Sequence, residues 1–541
     1  MIQLKMNRFL VLLAVIGIAL YATITALYGL HGEDTAPADN PSITKQQAAQ
    51  RAAQFVQERF GIHDPRTFVV YQSEKERSGY LQKEQLTDVY EQKYGEKFPI
   101  DFYQVRVVDQ ASDRRFDIEV NYRNSQIIGW NQISAISASM NKQKADIMAK
   151  EELRKQGWNP DDFVQVNKPA TSKNQRTTLV YEKQGNADAI GQARLQVQMN
   201  FDNQSIIGFS SLFILPASYQ TWLDQQDNSA SVMTWVSMGF TSLMSLAAAI
   251  YIIMHRKRVD FRRGLLLTVI FIVIYIINNI NMYPAYKSMA GASNEGLPML
   301  LAALFMNAVT MLLGFSLYLA LAAGSDWWEQ SGWQPWPSWR ERRFGDEVWR
   351  GMGRGYLLAL FILGVQQVLF YWGETQFDVW SVNDPSDSVL NMLEPRLFPL
   401  MAWVAAISEE ATFRLLGIML FKRIFRNNFI AVLIPSIIWA ASHTQYPIYP
   451  VYTRLVEVTV IGIILGYVFL KYGFITAMFA HACMDSILMG MSLFSLGYVS
   501  DAIAGAFYIL LPALIALLIS WMHKRRGPLI PGEPPPRLEA L

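Results

Sequence analysis

The chain has 541 residues, 51% hydrophobic side chains, a formal net charge of +2 and a positive mean hydropathy. This describes a membrane protein with a sizeable polar part, and the small net charge excludes the global basic field of a nucleic-acid binder. A single cysteine, Cys483, excludes an intramolecular disulfide and any multi-thiolate metal centre.

Residues 9–30 form an uninterrupted apolar run behind Lys5 and Arg8. The run exceeds the roughly 7–15-residue core of a cleaved signal, so 1–30 is predicted to be an uncleaved transmembrane anchor. Ala36-Pro37-Ala38 marks the alternative, a cleavage point.

Residues 31–229 are polar, contain no spanning segment and carry an internal repeat. FDIEVNYRNSQIIGW (116–130) aligns with LQVQMNFDNQSIIGF (195–209), sharing Asn121/Asn200, Asn124/Asn203 and an Ile-Ile-Gly triplet. Each copy alternates apolar and polar residues, reaches an Asn-containing turn and resumes an apolar run, which is a β-hairpin pattern. Upstream of each lies a helical stretch with a similar opening, 44-TKQQA-48 and 141-NKQKA-145. The duplicated helix-plus-hairpin unit resembles the PepSY domain, a module found beside peptidases. A small α+β domain used for packing or partner contact is the other reading. Residues 74–100 are an insertion in the first copy, expected as a long loop or added helix. The link from the second copy to the next span is expected to be short, roughly 15–20 residues, and to hold the domain near the membrane.

Apolar runs resume near 231–254, 264–285, 298–323, 355–373, 397–421, 429–445, 453–470, 474–495 and 502–522. With the first helix these make about ten spans, each near the length a bilayer requires. The predicted fold is therefore a polytopic α-helical membrane protein with an extracytoplasmic α+β domain. Its transmembrane part divides into 230–394, which includes a Trp- and Arg-rich loop, and a bundle over 395–525. The tail 526–541 is Pro-rich and expected to be disordered. His255 to Arg258, the 340–354 stretch, Lys422-Arg423-Arg426 and Lys524 to Arg526 fall on one side, and the acidic 374–394 loop falls on the other. The positive-inside rule then places both termini in the cytoplasm of an integral cell-membrane protein and 31–229 outside. Trp327, Trp328, Trp333, Trp336, Trp339 and Trp349 crowd one cytoplasmic loop, which is expected to lie in the headgroup zone.

The stretch 404-VAAISEEATFRLLGIML-420 places Glu409, Glu410 and Arg414 inside an apolar run of spanning length. A charge at mid-bilayer costs at least ~2.5–3.5 kcal/mol on insertion scales, so three require a reason. Glu410 and Arg414 are i, i+4 neighbours and can pair. Glu409 points about 100° away and is free to face another helix. Candidates are 439-WAASH-443 and 481-HACMD-485, where His481 and Asp485 sit one turn apart. Counting at ~1.5 Å per residue puts Glu409, His443 and Asp485 ~20 Å from the cytoplasmic edge, His481 near 15 Å and Arg414 near 12 Å. The predicted cluster is close to mid-membrane.

E-E-x-x-x-R, then W-x-x-x-H, then H-x-x-x-D resembles the CPBP family of intramembrane endopeptidases. That family contains type II CAAX prenyl proteases and bacteriocin-processing or immunity proteins. The glycine-spaced run 462-GIILGYVFLKYGFITAMFAHACMD-485 is similar to the segment ahead of the family's last motif. The likeness covers roughly 395–525. Trp439 stands where phenylalanine is commoner and Asp485 where many members carry Asn, and both departures look conservative. The resemblance implies that Glu409 with His443 holds and deprotonates a water. His481 and Asp485 would bind or polarise the scissile carbonyl, Asp485 donating only when protonated, and Glu410–Arg414 would be a supporting pair. It implies membrane-associated peptide or protein substrates, the lipid bilayer as surroundings and no nucleic-acid partner.

No cofactor is expected. Zn2+ is the alternative, since Glu409, His443, His481 and Asp485 suit it in number and type although no H-E-x-x-H occurs. Cys483 is expected to be a small buried apolar residue rather than a nucleophile. Two competing functions remain at this point: an ion- or proton-coupled transporter, and a catalytically silent immunity or scaffold protein.

Overall fold

A computed structural model describes residues 7–31, 41–112, 114–133, 140–166, 177–185, 190–289 and 297–526. Ala36-Pro37-Ala38 and the Pro-rich tail 527–541 lie outside the described residues.

The sequence repeat becomes two copies of one unit. Each copy opens on a capped helix. Thr44 accepts from the Gln47 backbone N–H while the Gln47 side chain returns to Thr44, and Asn141 accepts from Gln143 N–H. The helices Lys45–Phe60 and Lys142–Lys155 bury Ala48, Ala52 and Val56 in the first copy and Ala145, Ala149 and Leu153 in the second. That i, i+4, i+8 stripe lets a helix lie close on a sheet. The strands are β1 (Arg66–Ser73), β2 (Asp101–Val108), β3 (Arg115–Asn121), β4 (Ile127–Gln132), β5 (Phe163–Val166), β6 (Thr177–Lys183), β7 (Arg194–Phe201) and β8 (Ile206–Ile214). They form one antiparallel sheet in the order β1-β2-β3-β4-β8-β7-β6-β5, so the copies join last strand to last strand. Trp130 faces Phe209 across that seam, with the rings stacked at 4.9 Å. The 74–100 insertion carries the helix Lys75–Lys83.

The link after β8 is not a tether. Helix Ala217–His255 begins just past Ile214 and runs 39 residues without a break. Residues 217–230 are polar but contain no Gly or Pro after Pro216, and Tyr219 and Trp222 anchor them in the sheet-domain core.

Among the described residues seven helices are long and apolar enough to cross a membrane. Leu265–Asn281 and Asn428–Ala441 are shorter apolar helices, and 401–425 is the helix that carries Glu409, Glu410 and Arg414. The expected span 429–445 stops as helix at Ala441, where the chain turns ahead of Pro447 and Pro450. Leu265–Asn281 ends where Asn281 bonds the backbone of Glu394 in both directions.

The first helix packs on Phe344–Phe377 at backbone contact. A Cβ on Gly17 would come within 2.3 Å of the Leu360 carbonyl oxygen, and one on Gly364 within 2.2 Å of Gly17 O. Small residues permit this approach where lipid offers no hydrophobic drive. At one end of the bundle the basic segments gather: Arg258 pairs with Asp326 at 2.9 Å, and Lys422 and Arg423 lie over Trp328 and Trp327. The tryptophans of this end turn into the protein instead of spreading in a headgroup layer. Trp327 and Trp328 are buried in the bundle core, Trp333 packs on Phe469, and Trp336 packs on Phe474.

The sheet domain docks at the other end. Asn391 accepts from the Tyr71 N–H at 2.7 Å and donates to the Tyr71 carbonyl at 2.8 Å, and Lys75 pairs with Asp384 at 2.6 Å. Gly364→Leu should force the first helix away and cost about 1–3 kcal/mol. A thermal midpoint equal to that of the unsubstituted protein in detergent would contradict this packing.

Candidate active site

The 401–425 helix changes pitch at its polar residues. Met401–Glu409 is α-helical, Glu410–Ile418 winds in wider π turns, and Met419–Phe425 is α-helical again. Wider turns shift the backbone bonding pattern, and π segments of this kind are frequent at functional sites. Here the Leu415 carbonyl accepts a hydrogen bond from Trp328 Nε1 at 2.8 Å.

Six polar side chains from three segments meet above this stretch, in two tiers. The buried tier is Glu410, Arg414 and His481, with exposures of 0%, 1% and 3%. Arg414 Nη1 lies 3.1 Å from Glu410 Oε1, and His481 Nδ1–H donates to the same oxygen at 2.9 Å. The Arg414 guanidinium also lies 4.2 Å from the Trp439 ring centroid, a cation–π contact in a dry setting.

The accessible tier is Glu409, His443 and Asp485, whose side chains are 21%, 18% and 15% exposed. Glu409 sits between the histidines. Its Oε1 is 3.9 Å from His443 Nε2, and its Oε2 is 3.8 Å from His481 Nε2. Asp485 Oδ2 approaches His481 Nε2 at 3.4 Å. His443 Nδ1 bonds the Trp439 carbonyl at 2.9 Å, which fixes the ring and directs Nε2 toward Glu409. All the residues singled out in the sequence therefore adjoin one another. Asp485 reaches the cluster through His481.

Two features differ from expectation. His443 lies in the turn beyond Ala441 and not in the helix expected to run to 445, whereas Glu409, His481 and Asp485 sit within their helices. That turn leads to Ile448–Tyr449, which pairs with Trp380–Ser381 in a short ribbon. Trp439 is also no conservative stand-in for phenylalanine. Its indole Nε1–H donates to Glu409 Oε2, a bond a phenyl ring cannot make. Tyr446 stacks on His443, with centroids 6.0 Å apart and planes 19° apart. The signal for Trp439 was present in the residue type itself, a donor one helical turn before His443.

Cys483 is buried among the apolar core. Among the described residues no three His, Cys, Asp or Glu groups are arranged to hold a metal ion.

Over 216 residues, 40% of its length, the chain is 27% identical to the sporulation-killing factor biosynthesis protein SkfC of Bacillus subtilis (strain 168). It spans about two-fifths of that curated relative, 40% of its length. No solved structure matches the chain. Residues 392–487, which hold every residue of the two tiers, match the family of type II CAAX prenyl endopeptidases, Rce1-like.

Proposed function

We propose that this protein is an intramembrane endopeptidase that hydrolyses peptide bonds of membrane-associated proteins or peptides, with water activated by Glu409 and His443. The observation that carries the reading is the 3.9 Å separation between Glu409 Oε1 and His443 Nε2. It is too long for a direct hydrogen bond and short enough for one water to be held by both groups. Peptide hydrolysis requires a base for that water, donors for the tetrahedral oxyanion and an acid for the leaving amine.

In this reading Glu409 takes the water's proton and later returns it to the leaving amine. Trp439 holds the carboxylate in place through Oε2 while Oε1 faces the water. With His481 Nδ1–H committed to Glu410, Nε2 is presented to the space between Glu409 and Asp485. Protonated there, the ring donates to the carbonyl oxygen as it becomes an oxyanion. Asp485 supports that proton, or donates itself when neutral. The reaction as written needs no metal. The lysine- and arginine-rich loops favour an orientation with both termini in the cytoplasm and the sheet domain outside. The relative named for sporulation-killing factor biosynthesis supports a role in the biosynthesis of such a factor.

Glu409→Gln and His443→Ala should each abolish cleavage of a membrane peptide while the purified protein stays folded. Full activity in either would refute the assignment. Trp439→Phe should lower kcat by roughly ten- to a hundred-fold, the worth of one hydrogen bond to a charged group, with little change in KM. An unchanged kcat would remove Trp439 from the machinery. Chelators should leave the rate unaltered, whereas stoichiometric zinc lost together with activity in His481→Ala would establish a metalloenzyme.

A further inference from the structure

The mechanism leaves one buried ion pair unused. Arg454 and Glu457 lie in the first turns of the candidate span Val451–Tyr472, and Arg454 Nη1 is 2.6 Å from Glu457 Oε2. The other carboxylate oxygen, Oε1, accepts from Gln366 Nε2 of the helix Phe344–Phe377 at 3.0 Å. Glu457 is 5% exposed and Gln366 8%, so a charge and an amide are held out of solvent inside spanning segments. Such a set is a poor source of stability, because desolvation offsets the attraction, and an ionisable group within a span is a functional candidate. None of the three belongs to the two tiers of the candidate site.

What the trio reaches is Tyr446. The Arg454 guanidinium lies 5.5 Å from the centroid of the Tyr446 ring, and that ring stacks on His443. Tyr446 is 49% exposed and sits in the irregular stretch between Ala441 and Ile448–Tyr449. Burial therefore does not fix its ring, whereas a cation held over an aromatic face does. The long Arg454 side chain can hold the ring only if its own guanidinium is fixed, and the charge-assisted bond to Glu457, backed by Gln366, supplies that. His443 has the Trp439 ring against it on edge, 5.1 Å away at 70°, and the Tyr446 ring nearly face to face. The hydrogen bond at Nδ1 sets the direction of the imidazole, and these two ring contacts set its tilt.

We propose that Arg454 is a positioning residue: through Tyr446 it sets the tilt of the His443 imidazole, and Glu457 with Gln366 holds it in place to do so. For its effect on rate the proposal rests on the peptidase reading above; for its effect on His443 it rests on geometry alone. The gap between Glu409 Oε1 and His443 Nε2 is sensitive to tilt, because Nε2 is on the far side of the ring from the Nδ1 anchor. A displacement of about 1 Å at such a gap is enough to lower a rate by roughly one to two orders of magnitude.

The test uses the full-length protein in nanodiscs and three variants. Tyr446→Leu and Tyr446→Phe alter an exposed position, and Arg454→Met combined with Glu457→Gln removes both charges together, so that neither is stranded. Activity is read on a membrane peptide. His443 is read by NMR with isotope-labelled histidine; the chain has six histidines, and the His443 signal is assigned by its loss in His443→Ala. Tyr446→Leu and the double variant should each lower kcat roughly ten-fold with KM unchanged, and the double variant should move the His443 signal toward its position in Tyr446→Leu. Tyr446→Phe, which keeps the ring, should restore both readouts. A lower thermal midpoint in the double variant with kcat and the His443 signal unmoved would make the trio interhelical packing only and overturn the proposal, as would a loss confined to KM. If the unsubstituted protein cleaves no peptide, the peptidase reading falls and the signal decides alone: a displaced His443 resonance in the double variant upholds the positioning, and an undisplaced one overturns it.

Discussion

The arrangement depends on a single carboxylate oxygen. Glu410 Oε1 receives both the Arg414 guanidinium and the His481 Nδ1–H, in a position with no access to solvent. Burying this ion pair carries a desolvation penalty of several kcal/mol per ion, so it is a poor source of stability. What it supplies is position. Arg414 lies over Trp439, Trp439 bonds Glu409, and Glu410 orients His481, so three segments are tied to one another through buried polar contacts. Removing one member would strand a charge in the interior, at a cost of roughly 3–5 kcal/mol. The accessible tier thus stands on a tier that solvent does not reach.

The sheet domain takes part in that order. Asn391 reads both backbone groups of Tyr71, and Gln82 donates to the Ser381 carbonyl at 2.8 Å, so the acidic 378–394 segment is held by the sheet domain. The same segment pairs through Trp380–Ser381 with Ile448–Tyr449, a few residues past His443. A set of side-chain and backbone hydrogen bonds thus links the edge strand β1, through the 378–394 segment, to the turn that carries a candidate catalytic group. The domain is part of the frame around the site.

The local features were legible in the sequence because they obey helix and strand periods. Glu410 and Arg414 at i, i+4, and His481 and Asp485 likewise, share helix faces by arithmetic. The repeated Ile-Ile-Gly runs announced two hairpins of alternating burial. What was not legible is tertiary. Nothing local says that β4 and β8, rather than two other edges, form the seam, since both copies present free edges of the same chemistry. The end of the Asn428–Ala441 helix was missed because the span was extended to 445 over the polar run Ser442-His443-Thr444-Gln445, where the chain leaves the helix and turns. Trp327 and Trp328 read as interfacial from residue type, yet their rings found protein partners. Trp439 looked like a substitution of one ring for another until its N–H had a neighbour.

The helix from Ala217 to His255 is unbroken. At 39 residues it is roughly 58 Å long, more than a bilayer core requires. Its first turns are embedded in the sheet domain through Tyr219 and Trp222, and its far end lies among the basic segments. Midway, Ser237 donates to the Ile438 carbonyl at 2.6 Å, and Thr234 reaches the Ala441 carbonyl at 3.4 Å, just before His443. One continuous helix thus joins the sheet-domain core, the turn that carries His443 and the basic end of the bundle, so these three parts share a single backbone element.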